Sequence, residues 1–125
     1  MKRLFIAAAL LALTVGLCVG SRLTLDHGVD TLLAALDETE AAYRAGDTAA
    51  AQAVADGLPP LFDKEARFFP LFLPHEHLDA AEDSLAALPA LLPGDRAAFE
   101  AELARSRLHL QRLRDGERLT PDNIL

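Results

Sequence analysis

The sequence has no tryptophan, a single cysteine and few β-branched residues after its first twenty positions. Because Cys18 is alone, an intramolecular disulfide is excluded. Alanine and leucine dominate instead, and this composition favours helix over sheet. With 125 residues the chain has room for one domain, so we predict an all-α fold without strands.

The sequence also lacks the motifs that mark common catalytic sites. It has no nucleophile motif, no glycine-rich phosphate loop and no paired cysteine ligands. Its serines, Ser21, Ser84 and Ser106, have no motif context. We therefore expect a protein that is not an enzyme and that uses no cofactor.

Basic residues are scarce over most of the chain, whose formal net charge is -7. Residues 23–95 contain 14 acidic and 3 basic side chains, net -11, whereas residues 96–125 contain 5 acidic and 6 basic ones, net +1. Phosphate binding needs a basic surface, so we expect no nucleic acid partner. We predict that the arginines of the last helix pair with acids of earlier helices and of their own helix, and contact with anionic lipid is the alternative. These arginines are Arg105, Arg107, Arg112, Arg114 and Arg118.

Residues 4–21 form a long uncharged stretch that follows the basic residues Lys2 and Arg3. In a helix, eighteen residues reach about 27 Å, just enough to cross a hydrocarbon layer of roughly 30 Å. Positive residues precede the stretch and acids follow it, which predicts an N-terminus in the cytoplasm and the remainder outside. We assign residues 1–21 as a single-pass anchor in a bacterial cytoplasmic membrane, with lipid as the partner of residues 4–21.

A cleaved signal peptide, with secretion of the mature chain, is the alternative to a retained anchor. Lipidation of Cys18 is disfavoured because the bulky Leu17 precedes it. The apolar pattern continues beyond residue 21 at alternating spacings of four and three, as in one helix leaving the membrane, and we favour retention for this reason. The pattern also suits a coiled-coil dimer, so the oligomeric state stays open. Its members are Leu25, Val29, Leu32, Leu36, Thr39 and Tyr43.

Two Gly-Asp pairs, Gly46-Asp47 and Gly94-Asp95, each combine a helix-ending glycine with an aspartate that can cap the next helix. They predict helices over residues 23–45, 48–69, 75–92 and 96–119. Gly57 and the pair Pro59-Pro60 predict a break near Leu58, and Pro89 predicts an early end or a bend in the third helix.

Short connections between these helices favour an up-and-down antiparallel bundle of about four helices over residues 22–119, continuing from the transmembrane helix. Apolar stripes define the predicted core of the last two helices. The stripes are Leu78, Ala81, Leu85, Leu88 and Leu92 in the third, and Phe99, Leu103, Ser106, Leu110 and Leu113 in the fourth.

Two apolar segments are predicted to meet at the membrane-proximal end of this bundle. The turn over residues 68–74 is expected to close the core with its aromatic side chains, and contact with lipid or a protein partner is the alternative. Residues 120–125 are expected to form a docking tail, in which Ile124 covers the turn near Phe69 and Phe72.

The order of these features resembles the domain-of-unknown-function family numbered 4363, small bacterial proteins with an N-terminal membrane segment and a helical remainder. The resemblance rests on that order, on the stretch from His75 to Asp79 and on the ending from Leu119 to Leu125. His77 stands where the family is expected to have an acid, and the tryptophan expected in the second helix is missing, with Phe68 and Phe69 nearest. The resemblance implies the architecture and carries no activity.

The histidines offer one candidate ligand site. His75 and Asp79 share a helical face with His77 close by, so a divalent metal is conceivable there, although the helix dipole already explains acids at this position. His27, His75 and His77 are expected at the membrane-proximal end, and His109 further up. Our main hypothesis is a membrane-anchored structural or interaction module with a membrane protein as candidate partner, and the alternative is a ligand- or metal-binding sensor that uses the His75 to Asp79 face.

The anchor assignment makes a prediction about the mature protein. If the segment is retained, protein extracted from membranes begins at or near Met1 and resists carbonate washing, because residues 4–21 remain in the bilayer. Intact-mass spectrometry checks this. A mature N-terminus at Ser21 or Arg22 would establish cleavage instead.

Overall fold

Five α-helices and one short 3-10 turn form the protein over residues 1–71 and 73–115, which a computed structural model describes. No strand occurs within these ranges, as the composition predicts. The helices are α1 (Lys2–Arg44), α2 (Thr48–Asp56), α3 (Leu58–Glu65), α4 (His75–Leu91) and α5 (Arg96–Asp115), and the 3-10 turn is Phe69–Leu71.

The helices pack as four rods around one core, with α2 and α3 forming the second rod. α1 packs against α2, α3 and α5, and α4 packs against α2, α3 and α5. Ion pairs between α1 and α5 show that these helices run in opposite directions, because Asp37 pairs with Arg107 and the earlier Asp30 pairs with the later Arg114. The predicted up-and-down bundle of about four helices is confirmed.

α1 is one continuous helix of 43 residues with two different environments. It is long and apolar enough to span a membrane, and none of its apolar eighteen-residue window is buried by the rest of the protein. Its second half buries one stripe in the bundle core, made of Leu25, Gly28, Val29, Leu32, Leu36 and Thr39. The prediction that the apolar segment continues into the bundle without interruption is confirmed.

Both Gly-Asp pairs lie at hairpin turns, as predicted. Gly46 has a φ of +82°, and its N–H donates to the carbonyl of Tyr43 at 3.2 Å, which satisfies an exposed end of α1. The Asp47 carboxylate accepts a hydrogen bond from the N–H of Ala50 at 3.1 Å and so caps α2. At the second hairpin, Asp95 accepts from the N–H of Ala97 at 3.2 Å.

The second rod breaks at Gly57, next to the predicted position Leu58. Pro59 and Pro60 lie in the first turn of α3, where their missing N–H groups leave no helical bond unmade. α3 then ends at Glu65, so the predicted continuation to Phe69 is wrong. Residues 66–68 form a turn and Phe69–Leu71 form the 3-10 turn, and α4 begins at His75.

Pro89 does not end α4, which continues to Leu91. Proline removes one helical hydrogen bond, but the N–H of Leu92 still donates to the carbonyl of Leu88 at 3.0 Å. The Pro89 carbonyl accepts a hydrogen bond from Gln52 Nε2 at 3.0 Å, and this bond ties α2 to α4.

The core follows the predicted stripes of α4 and α5, all ten of whose members are buried. The end of the bundle farthest from the apolar segment is closed by Tyr43 and Phe99, whose ring centroids are 4.5 Å apart. The guanidinium carbon of Arg96 lies 5.7 Å from the centroid of Tyr43. The predicted helix end at Leu119 and the predicted tail over residues 120–125 lie outside the described residues.

Leu110 and Leu108 allow a matched test of the core assignment on one helix. Leu110 is fully buried, whereas Leu108 is 44% exposed. Replacing Leu110 by alanine should lower the free energy of unfolding by about 2 to 5 kcal/mol, because the core loses contacts and gains a cavity. Leu108→Ala should have a much smaller effect. Denaturant unfolding of both variants measures this, and equal losses would contradict the assigned face of α5.

Candidate membrane-proximal site

The connection from α3 to α4 is held against α1 at Gly28. A Cβ added at Gly28 would lie 2.8 Å from Cζ of Phe69 and 3.3 Å from the backbone oxygen of Glu65. Phe69 is fully buried, so its ring has no solvent-filled space into which to retreat. The ring therefore lies against the bare backbone of α1, in a space that only glycine leaves open.

The described side chains of the apolar turn divide between the core and the surface, and Phe72 lies outside the described residues. Phe69 is 0% and Leu73 is 7% exposed, so these two side chains close the core as expected. Phe68 and Leu71 are 57% and 81% exposed. The core-closing interpretation of the turn thus holds for Phe69 and leaves two large apolar side chains unexplained.

Phe68 and Leu71 line one side of a shallow notch of about 530 Å³, which we call the membrane-proximal notch. The opposite side is the surface of α1 on both sides of the predicted membrane boundary at Ser21. Added Cβ atoms at Gly16 and Gly20 would meet no atom within 4 Å, so the notch is open here. The lining residues from α1 are Gly16, Leu17, Cys18, Gly20, Ser21 and Thr24.

Ion pairs fasten α5 to α1 above this notch. Arg114 pairs with Asp30, and its Nε lies 3.8 Å from Oδ1 of Asp26. Asp26 Oδ1 and Arg114 Nε are both buried and form no hydrogen bond, so their ion pair offsets the loss of water around them. Arg22 Nε lies 3.6 Å from Asp26 Oδ2.

A second group of ion pairs joins the same helices further from the notch. Arg107 pairs with Asp37 at 2.5 Å and with Glu40, which Arg44 also contacts at 2.6 Å. The prediction that arginines of the last helix pair with acids of earlier helices is confirmed for Arg107 and Arg114. Partly exposed pairs of this kind contribute only about 0.2 to 1 kcal/mol each, so they specify the register of α5 more than they stabilise the fold.

The predicted ligand residues His75, His77 and Asp79 all lie on exposed positions in the first turns of α4. Within residues 1–71 and 73–115, no group of three or more His, Cys, Asp or Glu side chains could hold a metal ion. His75 and Asp79 line none of the grooves described here.

His109 corrects the predicted placement of the histidines. The sequence predicts it further up the bundle, but it lines one groove of about 250 Å³ with Glu76, His77 and Arg112. The reason is the antiparallel pairing of α4 and α5, in which residues equally distant from the Gly94-Asp95 turn face each other. Arg112 lies as far after that turn as His77 lies before it, and His109 is one helical turn from Arg112 on α5.

Two features of the bundle were missed at the level of sequence. The hydroxyl of the buried Ser84 donates to Glu102 Oε1 at 2.7 Å, which brings the end of a carboxylate to a half-buried position between α4 and α5. Gly28 had a usable signal, since a glycine inside a helix costs about 1 kcal/mol relative to alanine and usually has a packing reason. Because Gly28 lies beside Val29 on the apolar face, it indicates that another segment packs closely against the backbone of α1 at this point.

Comparisons with protein-family models, with curated proteins and with solved structures found no match for this chain. The resemblance to the domain-of-unknown-function family numbered 4363 therefore stays a prediction.

Gly28→Ala should destabilise the bundle although alanine is the better helix former. The gain in helix propensity is about 1 kcal/mol, whereas the contact with Phe69 and the Glu65 backbone should cost about 1 to 3 kcal/mol as overpacking. The measurement is thermal unfolding of the full chain in detergent. Gly20→Ala, on the same helix in open space, is the control and should not lower the midpoint. A midpoint for Gly28→Ala at or above that of the unchanged protein would mean that the Phe69 ring shifts without cost.

Proposed function

We propose that this chain is a single-pass membrane protein that displays its helical bundle on the extracytoplasmic face of a bacterial cytoplasmic membrane, as a non-enzymatic structural or interaction module. The observation that carries the proposal is the division of α1. Its apolar half is not buried by the protein, and its other half is part of a closed core. A core helix of a soluble protein would be buried along its apolar part.

The charges around the apolar half support the proposed orientation. Lys2 and Arg3 precede it, and the first acids, Asp26 and Asp30, follow it. Positive residues are retained on the cytoplasmic side of membrane segments, which directs the bundle outward.

The exposed acids of α4 support an interaction role. The four acidic side chains make no ion pair within the described residues, whereas four of the five acids of α1 pair with arginines of α5 or of α1 itself. A protein partner with basic groups complements this face. The four residues are Glu76, Asp79, Glu82 and Asp83.

One labelling experiment tests orientation and partner together. In a Cys18→Ser background, Glu82→Cys is treated in intact cells with a membrane-impermeant photoactivatable maleimide. We expect labelling without permeabilisation, and a discrete crosslinked product after illumination, because the position is exposed and lies on the unpaired acidic face. Immunoblotting and mass spectrometry measure both.

Two control variants make the result specific. A cysteine inserted between Met1 and Lys2, which keeps both positive residues, should be labelled only after permeabilisation, and labelling of intact cells at this position would contradict the proposed orientation. Leu108→Cys, exposed on α5, should be labelled without giving the same crosslinked product. Labelling of Glu82→Cys without any product would contradict an interaction through α4 and favour a purely structural module.

A further inference from the structure

We propose that Phe68 and Leu71 insert into the lipid interface beside α1, so that the bundle contacts the bilayer at a second point in addition to its transmembrane helix. The inference rests on the proposed membrane anchoring and adds a lipid-binding surface to it. Three features support it. The two side chains are exposed, the turn lies beside the predicted membrane boundary of α1, and apolar surface is continuous from α1 to the turn.

The exposure has no explanation within the bundle. Phe68 and Leu71 are 57% and 81% exposed, although the neighbouring Phe69 is fully buried. Among the described residues after Leu23, the only other large apolar side chain that is exposed is Leu108, at 44%. Large apolar side chains that cluster at the surface mark a contact.

The place of the turn along α1 coincides with the predicted exit from the membrane. The membrane-proximal notch joins Phe68 and Leu71 to positions 16–24 of α1, a stretch of about 12 Å along the helix. The predicted boundary at Ser21 lies within it. Because Phe69 packs on Gly28, the turn cannot move away from α1 without breaking a core contact.

The apolar surface is continuous from the anchor to the turn. The side chains of Leu17 and Cys18 line the notch together with Phe68 and Leu71, and Cys18 is exposed. Arg67, next to Phe68, is exposed and makes no ion pair within the described part of the chain, so its charge is available to lipid headgroups. Aromatic side chains beside cationic ones are typical of the interfacial zone of a bilayer.

A second copy of the chain is a weaker occupant of the notch. Gly16 and Gly20 have the four-residue spacing at which transmembrane helices approach closely. However, Phe68 and Leu71 lie beside this face at the end nearest the bundle. A partner helix packed along the face would collide with them there. Lipid chains fit around such side chains, so we assign the notch to lipid.

The absence of tryptophan allows a direct test. Phe68→Trp and Leu71→Trp each place the only tryptophan of the full chain on the turn, at exposed positions where the substitution leaves the core unchanged. The chain is placed in nanodiscs of phosphatidylcholine and phosphatidylglycerol, with or without bromine on the acyl chains. We expect brominated lipid to lower the emission about twofold, because interfacial side chains reach the acyl boundary.

Leu108→Trp is the matched control, since Leu108 is an exposed leucine on α5 beside Arg107, whose partners Asp37 and Glu40 lie well above residue 21. Its emission should not change with bromination and should be quenched by aqueous acrylamide. If both turn reporters behave like Leu108→Trp, the inference is overturned. If they are shielded from acrylamide only in discs that hold two chains, a second copy covers the notch and the inference is also overturned.

Failure of the proposed function is distinguishable in the same samples. Size-exclusion chromatography shows whether the chain elutes with the nanodiscs. Co-elution with unquenched turn reporters overturns lipid insertion and leaves the anchor intact, whereas failure to co-elute overturns the anchor and the insertion together.

Discussion

The packing of Phe69 on the backbone of Gly28 is the contact on which the end of the bundle nearest the apolar segment depends. It joins two segments that are forty-one residues apart and holds the end of the second rod against α1 where the helix leaves its apolar half. A larger residue at position 28 would push the turn outward, and with it the exposed Phe68 and Leu71. The position of the apolar surface formed by Phe68 and Leu71 thus depends on the absence of a side chain at Gly28.

The opposite end is closed by different chemistry. There the rings of Tyr43 and Phe99 are in tilted contact, Arg96 lies near the tyrosine ring, and a glycine with positive φ reverses the chain. Between the two ends, arginines of α5 reach the acids of α1, and Ser84 reaches Glu102. Apolar burial supplies the stability of such a bundle, and these polar contacts restrict how far each helix can slide along its neighbour.

Much of this fold was predictable because each deciding signal is local. The Gly-Asp pairs combine the residue that tolerates a left-handed turn with the residue that caps a helix, and the stripes of α4 and α5 repeat at helical spacing. The extent of α3 was not predictable, since whether helix continues after Glu65 depends on where Phe69 finds space. The position of His109 follows from simple counting across a hairpin, once the antiparallel pairing is accepted. The surface of the turn depends on which of two adjacent phenylalanines meets Gly28, and that information is not local.

The uninterrupted course of α1 has a mechanical consequence. No break separates its apolar half from the part that ends at Arg44, so the two halves form a single rigid lever. From Ser21, the predicted membrane boundary, to Arg44 the lever arm is about 35 Å, and a tilt of about ten degrees at Ser21 moves the far end by roughly 6 Å. A rotation of the proposed membrane-spanning half about its own axis likewise turns the acidic face of α4 toward a different direction. Any contact that fixes the end of the bundle nearest the apolar segment therefore also fixes the direction in which the opposite end points.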